Sequence, residues 1–130
     1  MELPDFTPGL SARVELTVTD ADTAQSLGSG DVPVLGTPRV LALAEAATVA
    51  ATARQIPGGL TTVGTRAEIS HQAPTPVGHT VTALATLAKV DGRKLLFEVV
   101  VRDGETQVAE VRVERMLLDR QRFIARALGD

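Results

Sequence analysis

The stretch VLGTPRVLALAEAATVAATAR, residues 34–54, predicts one long helix with very little polar surface. Thr37 is a suitable N-cap, and Pro38 then falls at the first helical position, where its missing N–H costs nothing. Nearly every later position is Ala, Leu or Val, and a helix that is apolar almost all round is normally buried. Glu45 lies in its middle, where a carboxylate is costly unless a partner or a reaction uses it. The rest of the chain must therefore cover this helix and account for its acid.

The composition limits both the core and the classes of partner. With 130 residues, of which 44% are hydrophobic and 2% aromatic, the chain fits one domain with a core of Val, Leu and Ala. Such a core gains from burying more surface against a second copy. The net charge of -3 gives no footprint for nucleic acid, and the lack of cysteine excludes disulfides and thiolate metal sites. We find no apolar run of about 18 residues and no signal-peptide pattern, so we expect a cytoplasmic protein without a membrane partner.

The sequence on either side of the helix predicts strands. Residues 12–19 alternate between apolar and polar side chains, as in a half-buried strand, and follow an irregular lead-in over residues 1–10. Residues 20–34 form a long connection of the kind that often acts as a lid. Residues 119–130 suggest a short C-terminal helix and tail. Further strands are expected at 61–71, 79–90, 94–102 and 106–118, the last three joined by Asp-Gly hairpin turns.

This order of elements predicts the fold class. One strand, a buried helix and four strands in a meander indicate an α+β fold, because so apolar a helix requires an antiparallel sheet that wraps around it. A five-stranded antiparallel sheet around a long central helix is the hotdog fold, and we expect one such domain over residues 1–130. Another α+β roll would also fit this order.

Four polar residues are expected near the helix layer: Thr37, Glu45, His71 and Arg115. On its strand His71 has the parity of Val63, Ala67 and Ile69, and on the last strand Arg115 has the parity of Val111, Val113 and Leu117. Each residue also has a structural interpretation. In that interpretation Thr37 serves only as a cap, Glu45 shares a mildly polar stripe with Thr48 and Thr52, and His71 is a hydrogen-bonded core residue. An inward arginine needs an anion, however, and together the four residues suggest a reaction centre.

The spacing on the helix favours a site between two subunits. Thr37 and Glu45 are eight residues apart, which is about 12 Å along a helix axis. They cannot meet within one chain. If both serve one reaction, they come from two protomers related by a two-fold axis, and a dimer then carries two sites.

Three segments carry a resemblance to a known family. The runs GTPRVLALAEAA, EISHQAPTPVG and GETQVAEVRVER, together with Gly64, resemble the fluoroacetyl-CoA-type thioesterases of the hotdog superfamily over roughly residues 34–123. The resemblance implies an acyl-CoA thioesterase with no cofactor and no metal. It implies catalytic roles for Thr37, Glu45 and His71, and substrate contacts by Gly36, Gly64 and Arg115. The implied partners are an acyl-CoA or acyl-carrier thioester and a second copy in a homodimer, with a tetramer as an open option.

The lid departs from the pattern of the fluoroacetyl-specific members. Those proteins place phenylalanines before the helix, whereas residues 20–35 contain no aromatic residue. We therefore expect thioesterase chemistry without fluoroacetyl specificity. Two mechanisms stay open, namely activation of water by Glu45 or His71 and direct attack by Glu45 to form an anhydride. The alternative functions are a non-catalytic acyl-CoA or small-ligand binding protein and another hotdog activity such as an acyl-CoA hydratase. Candidates for binding the CoA phosphates are Arg39, Arg54, Arg66, Arg93 and Lys94.

Overall fold

A five-stranded antiparallel sheet packs around one long helix in the computed structural model, which describes residues 3–129. Short 3-10 turns at Asp20–Asp22 and Ala53–Gln55 flank the connections to the helix. The strands and helices in chain order are β1 (Ser11–Thr17), α1 (Ala24–Leu27), α2 (Thr37–Thr52), β2 (Leu60–His71), β3 (Thr80–Asp91), β4 (Lys94–Asp103), β5 (Thr106–Asp119) and α3 (Arg120–Ala127). None of the helices within residues 3–129 is long and apolar enough to cross a membrane.

The strand order is β1-β3-β4-β5-β2, and all neighbouring strands are antiparallel. The turns that join β3, β4 and β5 place Gly92 and Gly104 at positive φ, as the Asp-Gly signals predict. The prediction of a four-strand meander is wrong, because β2 pairs with β5 instead of β3. The proline-containing segment after β2 explains this, since Val34 forms a β-bridge with Pro76 and the Leu35 N–H donates to the Thr75 carbonyl at 2.9 Å. The segment is thus held against the lid, and β2 becomes an edge strand.

The helix α2 covers only part of the sheet's inner face. Its core side is formed by five residues, Val40, Leu43, Ala44, Ala47 and Ala51, which join an aliphatic core in which Phe97 is the largest side chain. It packs mainly on β1 and β3 and much less on β2. The opposite side is exposed at Ala42, Ala46, Val49 and Ala50, and Val49 is 45% exposed. A single chain therefore does not bury this helix on all sides, contrary to the expectation from its composition.

A bulge in β2 decides which residues face the helix. Gly64 pairs with Arg115 and Arg66 pairs with Glu114, which leaves Thr65 as the extra residue. Directly paired residues share a face, so Thr62 and Gly64 lie on the inner face with Ala67, Ile69 and His71. Val63 pairs with Met116 on the outer face. The prediction that Val63 shares a face with His71 is wrong, because a bulge reverses the alternation of side chains.

The lid and the C-terminal helix are both capped by their own side chains. The Ser26 N–H donates to Thr23 Oγ1 at 3.2 Å at the start of α1, so the long connection expected at residues 20–34 contains a short helix. The Arg122 N–H donates to Asp119 Oδ1 at 3.0 Å at the start of α3, where a short helix is expected.

Candidate active site

The start of α2 is joined to the end of β2 by a hydrogen bond between Thr37 and His71. The distance from Thr37 Oγ1 to His71 Nδ1 is 2.8 Å. The prediction that Thr37 is the N-cap is wrong, because Gly36 occupies that position and Thr37 is the first helical residue. Its hydroxyl thus bonds the imidazole, whereas a capping hydroxyl would bond the helix N–H groups. The absence of a side chain at Gly36 suits the close approach of α1, since a Cβ there would lie 3.0 Å from the Ala24 backbone.

The imidazole of His71 has one nitrogen that is available for chemistry. Its Nε2 atom is buried and has no hydrogen-bond partner within residues 3–129. Burial lowers the pKa of His71 below its ordinary value of 6.5, so the ring is neutral at pH 7 and can accept a proton. An open, shallow groove of about 310 Å³ lies beside the Thr37–His71 pair and is bordered by the lid and residues 71–74. Two grooves of about 410 and 470 Å³ lie among charged residues such as Glu68, Glu98 and Arg112, away from this pair.

The middle of α2 is joined to β5 by an ion pair between Glu45 and Arg115. Arg115 Nη1 donates to Glu45 Oε2 at 3.2 Å. Arg115 is only 7% exposed, whereas the Glu45 side chain keeps 39% of its surface exposed. Burial lowers the pKa of Arg115 and the facing carboxylate raises it, so the guanidinium keeps its charge. The anion that an inward arginine requires is thus Glu45.

Gly64 permits the Glu45 carboxylate to lie against the β2 backbone. A Cβ atom at Gly64 would lie 2.6 Å from Glu45 Oε2 and 3.5 Å from Arg115 Nη1. The first distance is shorter than any ordinary contact, so no other residue leaves room for the carboxylate where it is. Glycine is needed here for a close approach rather than for an unusual φ.

Within one chain the candidate residues form two clusters. The first cluster is Thr37 with His71, and the second is Glu45 with Gly64 and Arg115. The clusters are about 12 Å apart along α2 and roughly 20 Å apart along β2. The structure therefore does not bring Glu45 to the His71 of its own chain.

Two buried polar residues near these clusters escaped the sequence analysis. Thr62 accepts from Arg115 Nε through Oγ1 and from Arg115 Nη2 through its carbonyl, both at 3.0 Å. Asp22 accepts from Arg39 Nε at 3.1 Å and from the Thr19 N–H at 2.8 Å. Burial raises the pKa of Asp22, but the Thr19 and Arg39 hydrogen bonds outweigh it and hold that pKa below its ordinary range. The Thr19-x-x-Asp22 spacing, a capping-box pattern, was a usable signal.

The candidates for phosphate binding differ in whether an acidic side chain of the same chain already pairs with them. Three of them form ion pairs, which are Arg39 with Asp22, Arg66 with Glu68, and Lys94 with Glu114. Within residues 3–129, no group of three His, Asp or Glu side chains is placed to hold a metal ion.

A profile of the fluoroacetyl-CoA-specific thioesterases matches residues 18–121, which is most of the chain. The chain belongs to this family. The fluoroacetyl-CoA thioesterase of Streptantibioticus cattleyicolor is 34% identical over 93 residues, which are 72% of this chain and 67% of that protein. A threonine-to-serine variant of the family's thioesterase FlK, solved in complex with acetyl-CoA, is 28% identical with a TM-score of 0.90 and covers 95% of this chain and 98% of its own. A Thermus thermophilus member of the thioesterase superfamily, 23% identical with a TM-score of 0.89, covers 98% of this chain and 96% of its own and shows the same fold.

Family membership confirms three predictions from the sequence. The chain has the hotdog fold, it belongs to the family that its motifs resemble, and it is a thioester hydrolase.

Replacing Gly64 tests whether the place of the Glu45 carboxylate matters. Gly64→Ala forces the carboxylate off the β2 backbone, and we expect kcat/KM for acetyl-CoA to fall by about 100-fold while the protein stays folded. The matched control is Gly58→Ala, since Gly58 has no atom near its Cβ position and does not require positive φ. Thiol release and circular dichroism measure the two effects. Equal activities in the two variants would show that the position of Glu45 is irrelevant.

Proposed function

We propose that the chain hydrolyses short acyl-CoA thioesters at a site shared by two subunits. In this site Thr37 and His71 of one copy meet Glu45, Gly64 and Arg115 of the other. The observation that carries the proposal is the division of these residues into two clusters that one chain holds apart. The acetyl-CoA complex of the related thioesterase supports the substrate class. The lid residues beside the shallow groove, among them Ala24, Val32 and Val34, are small and non-aromatic, and we do not extend fluoroacetyl specificity to this chain.

Three uncovered surfaces support a homodimer. The edge strand β2 presents backbone groups on one side that no strand of the same chain pairs with within residues 3–129. Ala67 is exposed although it faces the helix side of the sheet, because α2 scarcely extends over β2. The exposed side of α2 is also apolar, at Ala42, Ala46, Val49 and Ala50. A second copy joined edge to edge along β2 would cover all three.

The charges on β2 favour one register for this pairing. Consider a two-fold axis that joins two copies of β2 into one continuous sheet and keeps both helices on the same side. Directly paired residues share a face, so the residue at this axis must pair with its own copy in the partner. Arg66 and Glu68 lie on the outer face, 3.2 Å apart between Nη2 and Oε1. An axis at either of them pairs like charges. An axis at Ala67 pairs each Arg66 with the partner's Glu68.

This register brings the two clusters together. With Ala67 paired with its own copy, His71 of the partner subunit lies opposite residue 63. If the bulged Thr65 is skipped in the pairing, that histidine lies opposite residue 62. Neighbouring strands are about 4.8 Å apart, so that imidazole is within side-chain reach of Gly64 and the Glu45 carboxylate packed on it. The contact that the Thr37–Glu45 spacing requires is thereby available across the subunit boundary.

The chemistry follows from the groups in such a site. Neutral His71, held by Thr37 through Nδ1, takes a proton from water through Nε2 as the water oxygen attacks the thioester carbonyl. The N–H of Thr37 and the positive end of α2 stabilise the oxyanion. The C–S bond then breaks and the imidazolium returns its proton to the CoA thiolate. In this route the Glu45 carboxylate stabilises the imidazolium electrostatically. In the alternative route the Glu45 carboxylate attacks the thioester carbonyl, the C–S bond breaks and the CoA thiolate leaves, and water then hydrolyses the resulting anhydride and regenerates the carboxylate.

The role of Glu45 is tested by removing its charge. Glu45→Gln keeps the shape of the side chain, and we expect thiol release from acetyl-CoA to fall by about 1,000-fold, as for other lost catalytic carboxylates. Glu98→Gln, on the exposed outer face of β4, is the matched control and should retain full activity. A panel of acyl-CoAs of increasing length, followed with a thiol reagent, defines the substrate. A Glu45→Gln enzyme with normal turnover on every substrate would refute the proposed site.

Mixing inactive variants tests whether the site is shared. If Glu45→Gln and His71→Ala subunits exchange freely, half of the dimers are mixed and each mixed dimer has one intact site, so we expect about a quarter of the wild-type activity. The control mixture is Glu45→Gln with Arg115→Met, which alters the same cluster in both subunits and should recover nothing. A site contained within one chain predicts no recovery in either mixture.

The register is tested by exchanging charges on β2. Arg66→Glu brings carboxylates together across the axis, and we expect the dimer Kd to rise by about tenfold. Adding Glu68→Arg restores opposite charges and should restore the Kd. Arg102→Glu, on an exposed part of β4, is the control. Sedimentation equilibrium measures the three constants, and a double variant as weak as Arg66→Glu would exclude the axis at Ala67. The cytoplasmic location and the tetramer stay predictions.

A further inference from the structure

A single residue holds two of the three nitrogens of the Arg115 guanidinium. Nε donates to the hydroxyl of Thr62 and Nη2 donates to the Thr62 carbonyl, both at 3.0 Å. The third nitrogen, Nη1, donates to Glu45 at 3.2 Å. Thr62 is 9% exposed and lies on the inner face of β2, two residues before Gly64. The direction in which Nη1 points is thus fixed by Thr62.

We propose that Thr62 is a positioning residue of the thioesterase site and acts through Arg115 on Glu45. The inference rests on the proposed function, because it assumes that Glu45 takes part in the reaction. It assigns to the Thr62 hydroxyl the task of setting the plane of the guanidinium. The carbonyl of Thr62 alone leaves that plane free to turn about a single hydrogen bond.

The physical need for the hydroxyl comes from the burial of the guanidinium. Arginine has no acceptor atoms and five N–H donors in a rigid fork, so each buried N–H requires an acceptor. Without the Thr62 hydroxyl, the Nε–H is left buried and unpaired, and the guanidinium turns toward another acceptor. Nη1 then moves away from Glu45, whose carboxylate is partly exposed and has this one nitrogen as its protein donor within residues 3–129.

A positioning role of Thr62 can be distinguished from a purely structural role in β2. A structural role predicts a loss of stability and activity that does not depend on which residue occupies position 115. A positioning role predicts that the effect of changing Thr62 requires Arg115. A double-mutant cycle separates these two predictions.

The test uses Thr62→Val, which keeps the side-chain shape and removes the hydroxyl. With acetyl-CoA as substrate we expect kcat to fall by about tenfold, with KM changed by less than about twofold. Thr62→Ser keeps the hydroxyl and should restore kcat. Thr61→Val, one residue earlier and on the opposite face, is the matched control. In an Arg115→Met background, Thr62→Val should have no further effect on kcat.

Two results would overturn the inference while leaving the proposed function intact. One is a normal kcat for the Thr62→Val enzyme, measured beside separate Arg115→Met and Glu45→Gln enzymes that both show a reduced kcat. The other is an equal loss of kcat from Thr62→Val with and without Arg115. If Arg115→Met and Glu45→Gln are themselves fully active, the proposed site fails and this inference fails with it. If Thr62→Val does not fold, Thr62→Ala and Thr62→Ser make the same comparison, since only serine keeps the hydroxyl.

Discussion

The ion pair between Glu45 and Arg115 is the constraint on which the rest of the site depends. A carboxylate in an apolar helix and a guanidinium inside a sheet are each costly to bury alone, and their pairing makes both tolerable. The two partners are not enclosed equally by the protein. Every guanidinium nitrogen of Arg115 has an acceptor, whereas the Glu45 side chain is 39% exposed. A buried pair built only for stability would enclose both charges. Here the arginine is completed by the fold, and the carboxylate is left with an open side on which a substrate or a second subunit can act.

The bulge at Thr65 is what allows this ion pair to form against β2. A regular strand with His71 on its inner face would place Val63 and Thr65 inward and would point Thr62 and Gly64 away from the helix. With the bulge, the same strand presents the imidazole at one end and, at the other, both the hydroxyl that holds Arg115 and the glycine that admits the carboxylate. A local irregularity of one residue therefore places on one face two segments of β2 that carry candidate site residues and that a strict alternation would place on opposite faces.

The sequence predicted the features that depend on local pattern and missed those that depend on pairing. Glu45 is predicted because one acid in an apolar helix is a strong signal. That helix and the strand patterns predict an α+β fold, and the candidate site residues and the family resemblance they carry favour the hotdog fold over another roll. The predicted pairing of β2 is wrong, because turn signals identify strands joined by a tight turn but carry no information on which distant strand an edge strand joins. For Thr37 the sequence supports both a cap and a catalytic role, because its hydroxyl has an equally good local use, and only the tertiary structure shows its contact with His71. Thr62 was missed because its face depends on a bulge, although Gly64 inside a strand was a hint of one.

The composition of α2 suits a helix with three parts, namely a side packed in the core, an exposed side proposed to contact a second subunit, and the candidate site residue Glu45. Its core side carries Val40 and Leu43, whereas its exposed side carries small residues at a spacing of four, Ala42, Ala46 and Ala50. Small side chains keep the exposed side apolar and also let a neighbouring helix approach closely, which larger aliphatic residues would prevent. A close approach matters for the proposed dimer, because the partner's Thr37–His71 pair must come within reach of Glu45 on this same helix. In the shared site proposed above, the alanine-rich face and the separation of the two clusters follow from one requirement, that neither subunit completes the site alone.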